Sequence, residues 1–278
     1  MPDFRTSDRV RLHFVENGSG AIPVFYLHGM GYNAAVWRPL WQKLGDTAYR
    51  HVALDFRGHG LSARKACTFT HLRLARDVLA LADALRIRRF AIVGHSFGGK
   101  VALQLAALAP QRVVRLALLG AVGPGKVPVP RPAVRMILER AHDLSFVRTT
   151  FRPWFTTWPN AAIERALASF AKTPRWALAA VARIAFWTDI SAHCTGITTP
   201  ALLVAGRHDP IYGPDYQQQA VAPFLPGSKM VTLDCGHGLV LESPGNVAAH
   251  LARFLPSTPP VNPGETSDDR VEPPDELA

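Results

Sequence analysis

The chain has 278 residues, of which 48% are hydrophobic, and a formal net charge of +10. This length and apolar content predict one large folding unit with a substantial buried core. Charges are scattered through the first thirty positions and no later run is apolar for long enough, so we expect neither a secretory leader nor a membrane span. The three cysteines form no C-x-x-C pair, which disfavours a disulfide framework and a zinc site and favours a cytoplasmic location.

Basic residues are spread along the whole chain. Arginine far outnumbers lysine, and no basic run alternates with aromatic residues, so a compositional bias explains the charge better than a nucleic acid partner does. Residues 256–278 differ from the rest, because they combine six acidic residues with Pro, Ser, Thr and Gly. This composition predicts a disordered acidic tail. The expected partner is a small-molecule substrate, with no nucleic acid and no membrane, for a monomer or homodimer.

Apolar runs bounded by turn residues alternate with stretches of helical periodicity along the chain. The first run, residues 10–15, alternates apolar and polar residues and predicts an antiparallel edge strand. Later strands are predicted at 24–27, 51–54, 90–93, 114–119, 201–205 and 229–233, with helices at 34–44, 71–85, 99–108, 216–221 and 246–254. This alternation predicts an α/β fold with a mostly parallel sheet covered by helices.

One connection is too long for this pattern. About eighty residues separate the strand ending at Leu119 from the strand beginning at Ala201. We assign residues 121–195 to an inserted helical cap, called the cap segment below, with helices at 133–142, 144–151, 161–170 and 174–186. Residues 1–120 and 196–255 then form the core. The cap segment holds four of the six tryptophans, which favours an apolar or aromatic substrate group beneath it.

A G-x-S-x-G pattern occupies residues 94–98, between a predicted strand and a predicted helix. A serine at such a turn sits in a tight bend that exposes its hydroxyl, and small residues two positions before and after it let strand and helix pass closely. Ser96 is therefore the candidate nucleophile. The pattern alone is common, and its alternative interpretation is an ordinary glycine turn before a helix.

A serine hydroxyl needs a base, and the base needs an orienting acid. Asp209 and His237 each follow a predicted strand, which gives the chain order Ser96, Asp209, His237. Competing candidates are the neighbouring histidines, interpreted as packing groups, and two other acids: His95, His208, Asp215 and Asp234.

Acyl chemistry also needs hydrogen-bond donors for the oxygen that becomes negative. The backbone amides of Met30, in the loop after the first buried strand, and of Phe97, directly after Ser96, are the predicted pair. Their side chains would shape the pocket. Four further residues are candidate pocket contacts: Trp154, Trp158, Trp187 and Leu239.

Five motifs, at residues 28–31, 55–62, 94–99, 206–209 and 236–244, resemble the successive signatures of the α/β-hydrolase superfamily with a helical cap. The resemblance covers residues 4–255, and the cap segment is its least similar part. It implies the α/β-hydrolase fold, an architectural role for residues 55–62, and a Glu242 that supports the loop of the catalytic histidine. Ser96 stands where haloalkane dehalogenases and epoxide hydrolases have an aspartate, which disfavours both activities.

These observations predict a carboxylesterase-like serine hydrolase that cleaves an ester of a hydrophobic or aromatic small molecule, or a related lactone or thioester, through an acyl-enzyme. No metal and no organic cofactor is expected. Two alternatives stay open. One is a lyase, cyclase or C–C bond hydrolase on the same fold, and the other is a receptor-like homologue that binds its ligand with little turnover.

Overall fold

The computed structural model describes residues 3–259 of the chain. From residue 260 onward, the predicted disordered tail lies outside the described residues. Within them, eight strands form one sheet in the order β1-β2-β4-β3-β5-β6-β7-β8. The strands are β1 (Asp3–Arg5), β2 (Arg11–Asn17), β3 (Ile22–Leu27), β4 (Tyr49–Leu54), β5 (Phe90–His95), β6 (Val113–Leu119), β7 (Ala201–Gly206) and β8 (Lys229–Leu233). β3 to β8 are parallel, whereas β1 and β2 are antiparallel to their neighbours.

Helices connect the strands and cover both faces of the sheet. They are α1 (Arg38–Leu44), α2 (His71–Ala84), α3 (Phe97–Leu108), α4 (Arg131–Glu139), α5 (Leu144–Phe151), α6 (Ala161–Lys172), α7 (Arg175–Ala182), α8 (Ser191–Cys194), α9 (Pro214–Tyr216), α10 (Leu239–Glu242) and α11 (Pro244–Phe254). α1 packs with α11, and α2 packs with α3. None of the helices described over residues 3–259 is long and apolar enough to cross a bilayer.

The central strands are buried on both faces, which explains why they are apolar without alternation. Every residue of β5 and of β7 is buried. A parallel strand covered by helices on both sides has no solvent-facing positions that would select polar residues. The predicted α/β fold with a mostly parallel sheet is therefore confirmed.

The first predicted strand is antiparallel, but the prediction that it forms the edge is wrong. β2 pairs with β4 on one side and with the three-residue β1 on the other. β1 is too short and too charged to produce an apolar signal, since its sequence is Asp-Phe-Arg. The charged strand thus covers the sheet edge, as short edge strands often do.

Between β6 and β7 the chain forms α4 to α8. The predicted helix at 174–186 ends as α7 at Ala182 and continues as a π-helical turn over Arg183–Trp187. The predicted helix at 34–44 likewise begins with a 3₁₀ turn over Ala34–Trp37, because Pro39 at the start of α1 cannot donate a helical hydrogen bond.

A buried ion cluster joins the N-terminal hairpin to α2. The Arg57 side chain is fully buried and donates to Asp77 at 2.6 and 2.8 Å and to Asp8 at 2.7 and 2.8 Å. Asp77 is itself 1% exposed, and its carboxylate accepts two short bonds from Arg57 and one longer bond, at 3.1 Å, from Arg73 Nε.

Removing Arg57 should therefore destabilise the fold strongly. We expect Arg57→Ala to lower the free energy of unfolding by about 3 kcal/mol, because Asp77 would stay buried with only the longer bond from Arg73. Urea denaturation measures this loss. Arg50→Ala is the matched control, since it breaks a half-exposed pair with Glu16 and should cost less than about 1 kcal/mol. Equal losses in the two variants would contradict the assigned importance of the buried cluster.

Candidate active site

Ser96 lies at the turn between β5 and α3 in a backbone conformation that L-residues rarely adopt, with φ at +53°. Its amide donates to the Leu119 carbonyl at 3.0 Å, and its carbonyl accepts from the amides of Gly99 at 2.9 Å and Val122 at 3.0 Å. These bonds to β6 and to the start of the cap segment hold the strained residue in place.

The glycines of the motif permit this turn for a steric reason. A Cβ atom added to Gly98 would lie 2.0 Å from the Leu27 carbonyl oxygen, and one added to Gly94 would lie 2.7 Å from the Gly98 carbonyl oxygen. Both distances are far below van der Waals contact. The close approach of β3, β5 and α3 therefore requires glycine at both positions.

Ser96, His237 and Asp209 form a continuous hydrogen-bonded chain. The His237 Nε2 atom lies 3.0 Å from Ser96 Oγ, and His237 Nδ1 lies 2.6 Å from Asp209 Oδ2. An ionised carboxylate only accepts hydrogen bonds, so the bonding pattern assigns the imidazole proton to Nδ1 and leaves Nε2 free to accept the serine proton. All three side chains are buried.

Asp209 is held as a carboxylate despite its burial. Burial alone would raise its pKa, but the charge and hydrogen bond of His237 and the amides of Tyr212 and Ile211 together hold the pKa below its usual range. Those two amides donate to Oδ1 at 2.9 and 3.0 Å. Oδ1 of the carboxylate therefore already accepts two hydrogen bonds, and Oδ2 is the oxygen that faces His237.

The backbone of His237 is fixed on both sides. Its amide donates to the Trp154 carbonyl at 2.7 Å, and its carbonyl accepts from His95 Nε2 at 2.9 Å. Burial lowers the pKa of His95 to about 3, so this ring stays neutral. His95, predicted as a packing group, therefore also anchors the loop of the candidate base. Its position directly before Ser96 was the only sequence signal for this contact.

Glu242 joins the His237 loop to the cap segment. Its Oε1 accepts the Gly238 amide at 3.0 Å, while Oε2 accepts the Thr156 amide at 2.6 Å and the Thr156 hydroxyl at 2.7 Å. The supporting position implied for Glu242 by the family resemblance is therefore seen in these contacts.

Met30 and Phe97, the two residues predicted to supply oxyanion donors, lie close to Ser96. Phe97 is the first residue of α3, so its N–H has no partner within the helix. The loop that carries Met30 approaches closely, since a Cβ atom on Gly29 would lie 3.2 Å from Ser96 Cβ. Both predicted residues line the cavity that contains Ser96. This placement suits two donors to a developing oxyanion.

Above Ser96 and His237 lies an apolar cavity of about 170 Å³. The core contributes Tyr32, Ile211 and Tyr212 to its wall. The cap segment contributes most of the rest of the lining, in the form of these aliphatic and aromatic side chains: Val122, Val129, Val134, Ile137, Phe151, Trp154, Phe155, Leu167, Phe170, Ala185 and Phe186.

Of the four predicted pocket contacts, only Trp154 lines this cavity, and its ring centroid lies 5.1 Å from that of His237. Trp187 lies in an outer groove, where its ring packs under Arg131 and its indole nitrogen donates to a backbone carbonyl. Trp158 packs beside Phe155, and Leu239 is fully buried in the core. Phenylalanines and Tyr212 occupy the wall instead. The helical periodicity of the cap segment does not distinguish aromatic side chains that face the cavity from those that pack elsewhere.

Of the competing residues, His95 bonds to the His237 backbone, and the other three lie outside the cavity that contains Ser96. His208 pairs with Asp234 on the surface at 2.8 Å, and Asp215 is exposed at the start of α9. Cys235 is buried, which raises the pKa of its thiol to about 12 and keeps it protonated. Across residues 3–259, no group of three or more His, Cys, Asp or Glu side chains could hold a metal ion.

Comparison with known proteins places these residues in a family context. The model of the alpha/beta hydrolase family matches residues 24–250. A hydrolase of 2-hydroxy-6-oxononadienedioate and 2-hydroxy-6-oxononatrienedioate from Paraburkholderia xenovorans is 28% identical over 244 residues, 82% of this chain and 84% of that protein. The enol-lactonase structure from Burkholderia xenovorans superposes with a TM-score of 0.81 at 23% identity, over 91% of this chain and 99% of that one.

Some relatives are longer proteins. The acetyltransferase component of the acetoin cleaving system from Cupriavidus necator is 40% identical over 122 residues, which are 44% of this chain. The chain spans only about a third, 32%, of the length of that relative.

The contact of Asp209 with His237 predicts a large effect of a small substitution. We expect Asp209→Asn to lower kcat by about 10³–10⁴-fold, because an amide would favour the wrong imidazole tautomer. Steady-state kinetics on an activated aryl ester measures the effect. Asp234→Asn is the matched control and should leave kcat within about twofold, since the Asp234 carboxylate is exposed and pairs with the exposed His208. Similar losses in both variants would contradict the assignment of the acid.

Proposed function

We propose that this chain, which belongs to the alpha/beta hydrolase family, is a serine hydrolase that cleaves a carboxylic ester of a small hydrophobic molecule. The observation that carries the proposal is the position of the His237 imidazole. It links the Ser96 hydroxyl to the Asp209 carboxylate at the floor of an apolar cavity. A buried hydroxyl within reach of an oriented base is the arrangement that nucleophilic acyl transfer requires.

The first half of the reaction forms an acyl-enzyme. Ser96 Oγ bonds to the ester carbonyl carbon while its proton passes to His237 Nε2. The carbonyl oxygen becomes negative and accepts hydrogen bonds from the amides of Met30 and Phe97. When the tetrahedral intermediate collapses, the bond to the alcohol oxygen breaks, and the leaving alcohol takes the proton from His237.

The second half repeats these steps with water. His237 removes a proton from water as its oxygen attacks the acyl carbon, and the same two amides hold the second oxyanion. Collapse releases the carboxylic acid and returns the proton to Ser96 Oγ. Asp209 stays ionised throughout, and stabilises the imidazolium each time it forms. No step requires a metal or an organic cofactor.

The cavity supports a substrate with a small apolar group. Its volume, about 170 Å³, is close to the ~150 Å³ of an apolar cavity that accepts benzene. The lining is aliphatic and aromatic, so a charged group would lose its hydration there without compensation. We therefore propose an acyl group the size of one aromatic ring or a short branched chain.

Lactones are included in the proposed substrate class, because a lactone is a cyclic ester and meets the same nucleophile. The enol-lactonase with which the chain superposes supports testing them. The relative that hydrolyses an oxononadienedioate supports testing C–C bond hydrolysis as the alternative reaction. Turnover of such a substrate without any ester or lactone turnover would favour that alternative.

Ser96→Ala tests the proposal directly. We expect kcat on a panel of aryl esters to fall on the order of 10⁶-fold, because the nucleophile is removed while the oxyanion donors remain. Labelling by a fluorophosphonate probe should also disappear. Ser145→Ala, a substitution on the exposed face of α5, is the control and should keep both activities. Retained ester turnover in Ser96→Ala would overturn the proposal.

A further inference from the structure

A buried lysine that the catalytic steps do not use lies one helical turn after Ser96. Lys100 is part of α3, and its side chain is fully buried. Its Nζ donates to three backbone carbonyls, those of Gly125 at 2.9 Å, Thr188 at 2.6 Å and Ala185 at 3.4 Å. Burying an ammonium group is costly, so three acceptors aimed at it indicate a specific role.

The three carbonyls belong to the two ends of the cap segment. Gly125 lies where the chain leaves the core after β6, and Ala185 and Thr188 lie where it returns after α7. These two stretches also bond to each other directly. The Val127 amide donates to the Phe186 carbonyl at 2.8 Å, and the Ile190 amide donates to the Pro124 carbonyl at 2.9 Å. The Lys100 ammonium thus joins α3 to both connections of the cap segment.

One of these connections forms part of the cavity wall. Ala185, whose carbonyl accepts from Lys100, lines the cavity above Ser96, and so does the adjacent Phe186. Both residues lie in the π-helical turn Arg183–Trp187. This turn departs from regular α-helical hydrogen bonding, and two groups outside it, the Val127 amide and Lys100 Nζ, donate to its carbonyls.

We propose that Lys100 is a positioning residue that fastens this turn to α3 and thereby fixes the distance between the nucleophile and the wall that holds the acyl group. The inference rests on the proposed ester hydrolysis for its kinetic consequence. Its structural consequence, a firmly held turn at residues 183–188, is independent of any reaction.

The charge of Lys100 is sensitive to mildly alkaline pH. Burial lowers the pKa of Lys100 to about 8, although the charge of Asp189 opposes the shift. Hydrogen bonds from Ser191 lower the pKa of Asp189, burial lowers that of His71, and burial raises that of Cys194 to about 12. The ionisable side chains that interact electrostatically with Lys100 come from α2, α8 and the end of the cap segment: His71, Asp189 and Cys194. His193 of α8 lies beside His71.

Above pH 8 a growing fraction of Lys100 is therefore neutral. A neutral amine has one fewer donor and loses the charge-assisted part of its bonds to the carbonyls. The bonds from Lys100 to the carbonyls of Ala185 and Thr188 weaken as a result. An acyl group that fills the cavity should be affected more than one that is too small to reach the wall.

The test compares two p-nitrophenyl esters, the hexanoate and the acetate, on wild type and on Lys100→Met between pH 6.5 and 9. Both esters use the same triad and leaving group, so the ratio of their kcat/KM values cancels every pH effect that the two reactions share. We expect the hexanoate-to-acetate ratio of the wild type to fall at least threefold as the pH rises through 8. In Lys100→Met we expect a ratio at least fivefold lower than wild type at pH 6.5, with no change up to pH 9.

Gln104→Met is the matched control. Gln104 lies one turn further along α3, is 3% exposed, and bonds to His193 of α8 at 3.0 Å. The variant also loses a buried hydrogen bond from α3, but not one to the cavity wall. Its ester ratio should match that of wild type at each pH, even if its melting temperature falls.

Amide hydrogen exchange supplies a second readout that needs no turnover. We expect peptides covering residues 183–188 to exchange faster in Lys100→Met than in wild type and in Gln104→Met. A pH-independent ratio in wild type, or an unchanged ratio in Lys100→Met, would overturn the inference while leaving the proposed hydrolysis intact. If wild type cleaves no ester, the proposed function fails. Unchanged hydrogen exchange at residues 183–188 in Lys100→Met would then separately refute the positioning role of Lys100.

Discussion

The whole site depends on one strained residue, because Ser96 must adopt a positive φ for its hydroxyl to point away from the sheet. Nothing in the side chain of serine favours this conformation. It is imposed by the approach of α3 to β3 and β5, which leaves no room for a Cβ atom at Gly94 or Gly98. The Ser96 amide and carbonyl are then fixed by bonds to Leu119 and Val122. The fold thus determines the position of the candidate nucleophile, at a cost in strain that the buried sheet compensates.

The other parts of the site are tied to the cap segment as well as to the core. The His237 amide donates to Trp154, and Glu242 bonds to both the His237 loop and Thr156. The segment that forms the cavity wall therefore also helps to hold His237, the candidate base, in place. A shift of this segment would move His237 and the wall together.

Much of this arrangement follows from the sequence because its causes are local. Buried parallel strands select continuous apolar runs, and the turn at Ser96 selects glycine at fixed positions, so both leave clear patterns. Asp209 and His237 each follow a strand end, and all parallel strands end at the same edge of the sheet. The sequence consequently predicts the sheet and the order of the three residues.

The cavity wall could not be predicted in the same way. Trp154 and Trp187 are both tryptophans with a phenylalanine next to them in the sequence. Trp154 nevertheless contacts His237, whereas Trp187 packs under Arg131 on the outside. That difference arises from how short helices pack on the core, which helical periodicity does not encode. The three acceptors of Lys100 could not be predicted from the sequence either. They are backbone carbonyls of residues distant in the chain, and a backbone carbonyl is present whatever the side chain.

The proposed ester hydrolysis passes through a covalent intermediate on Ser96. The most direct measurement is intact-mass and peptide-mass spectrometry of wild-type protein quenched in acid during turnover of a slowly hydrolysed p-nitrophenyl ester. We expect a mass increase equal to one acyl group, located on the peptide that contains Ser96. Turnover of the same ester without any such adduct, or an adduct on another residue, would contradict the proposed mechanism.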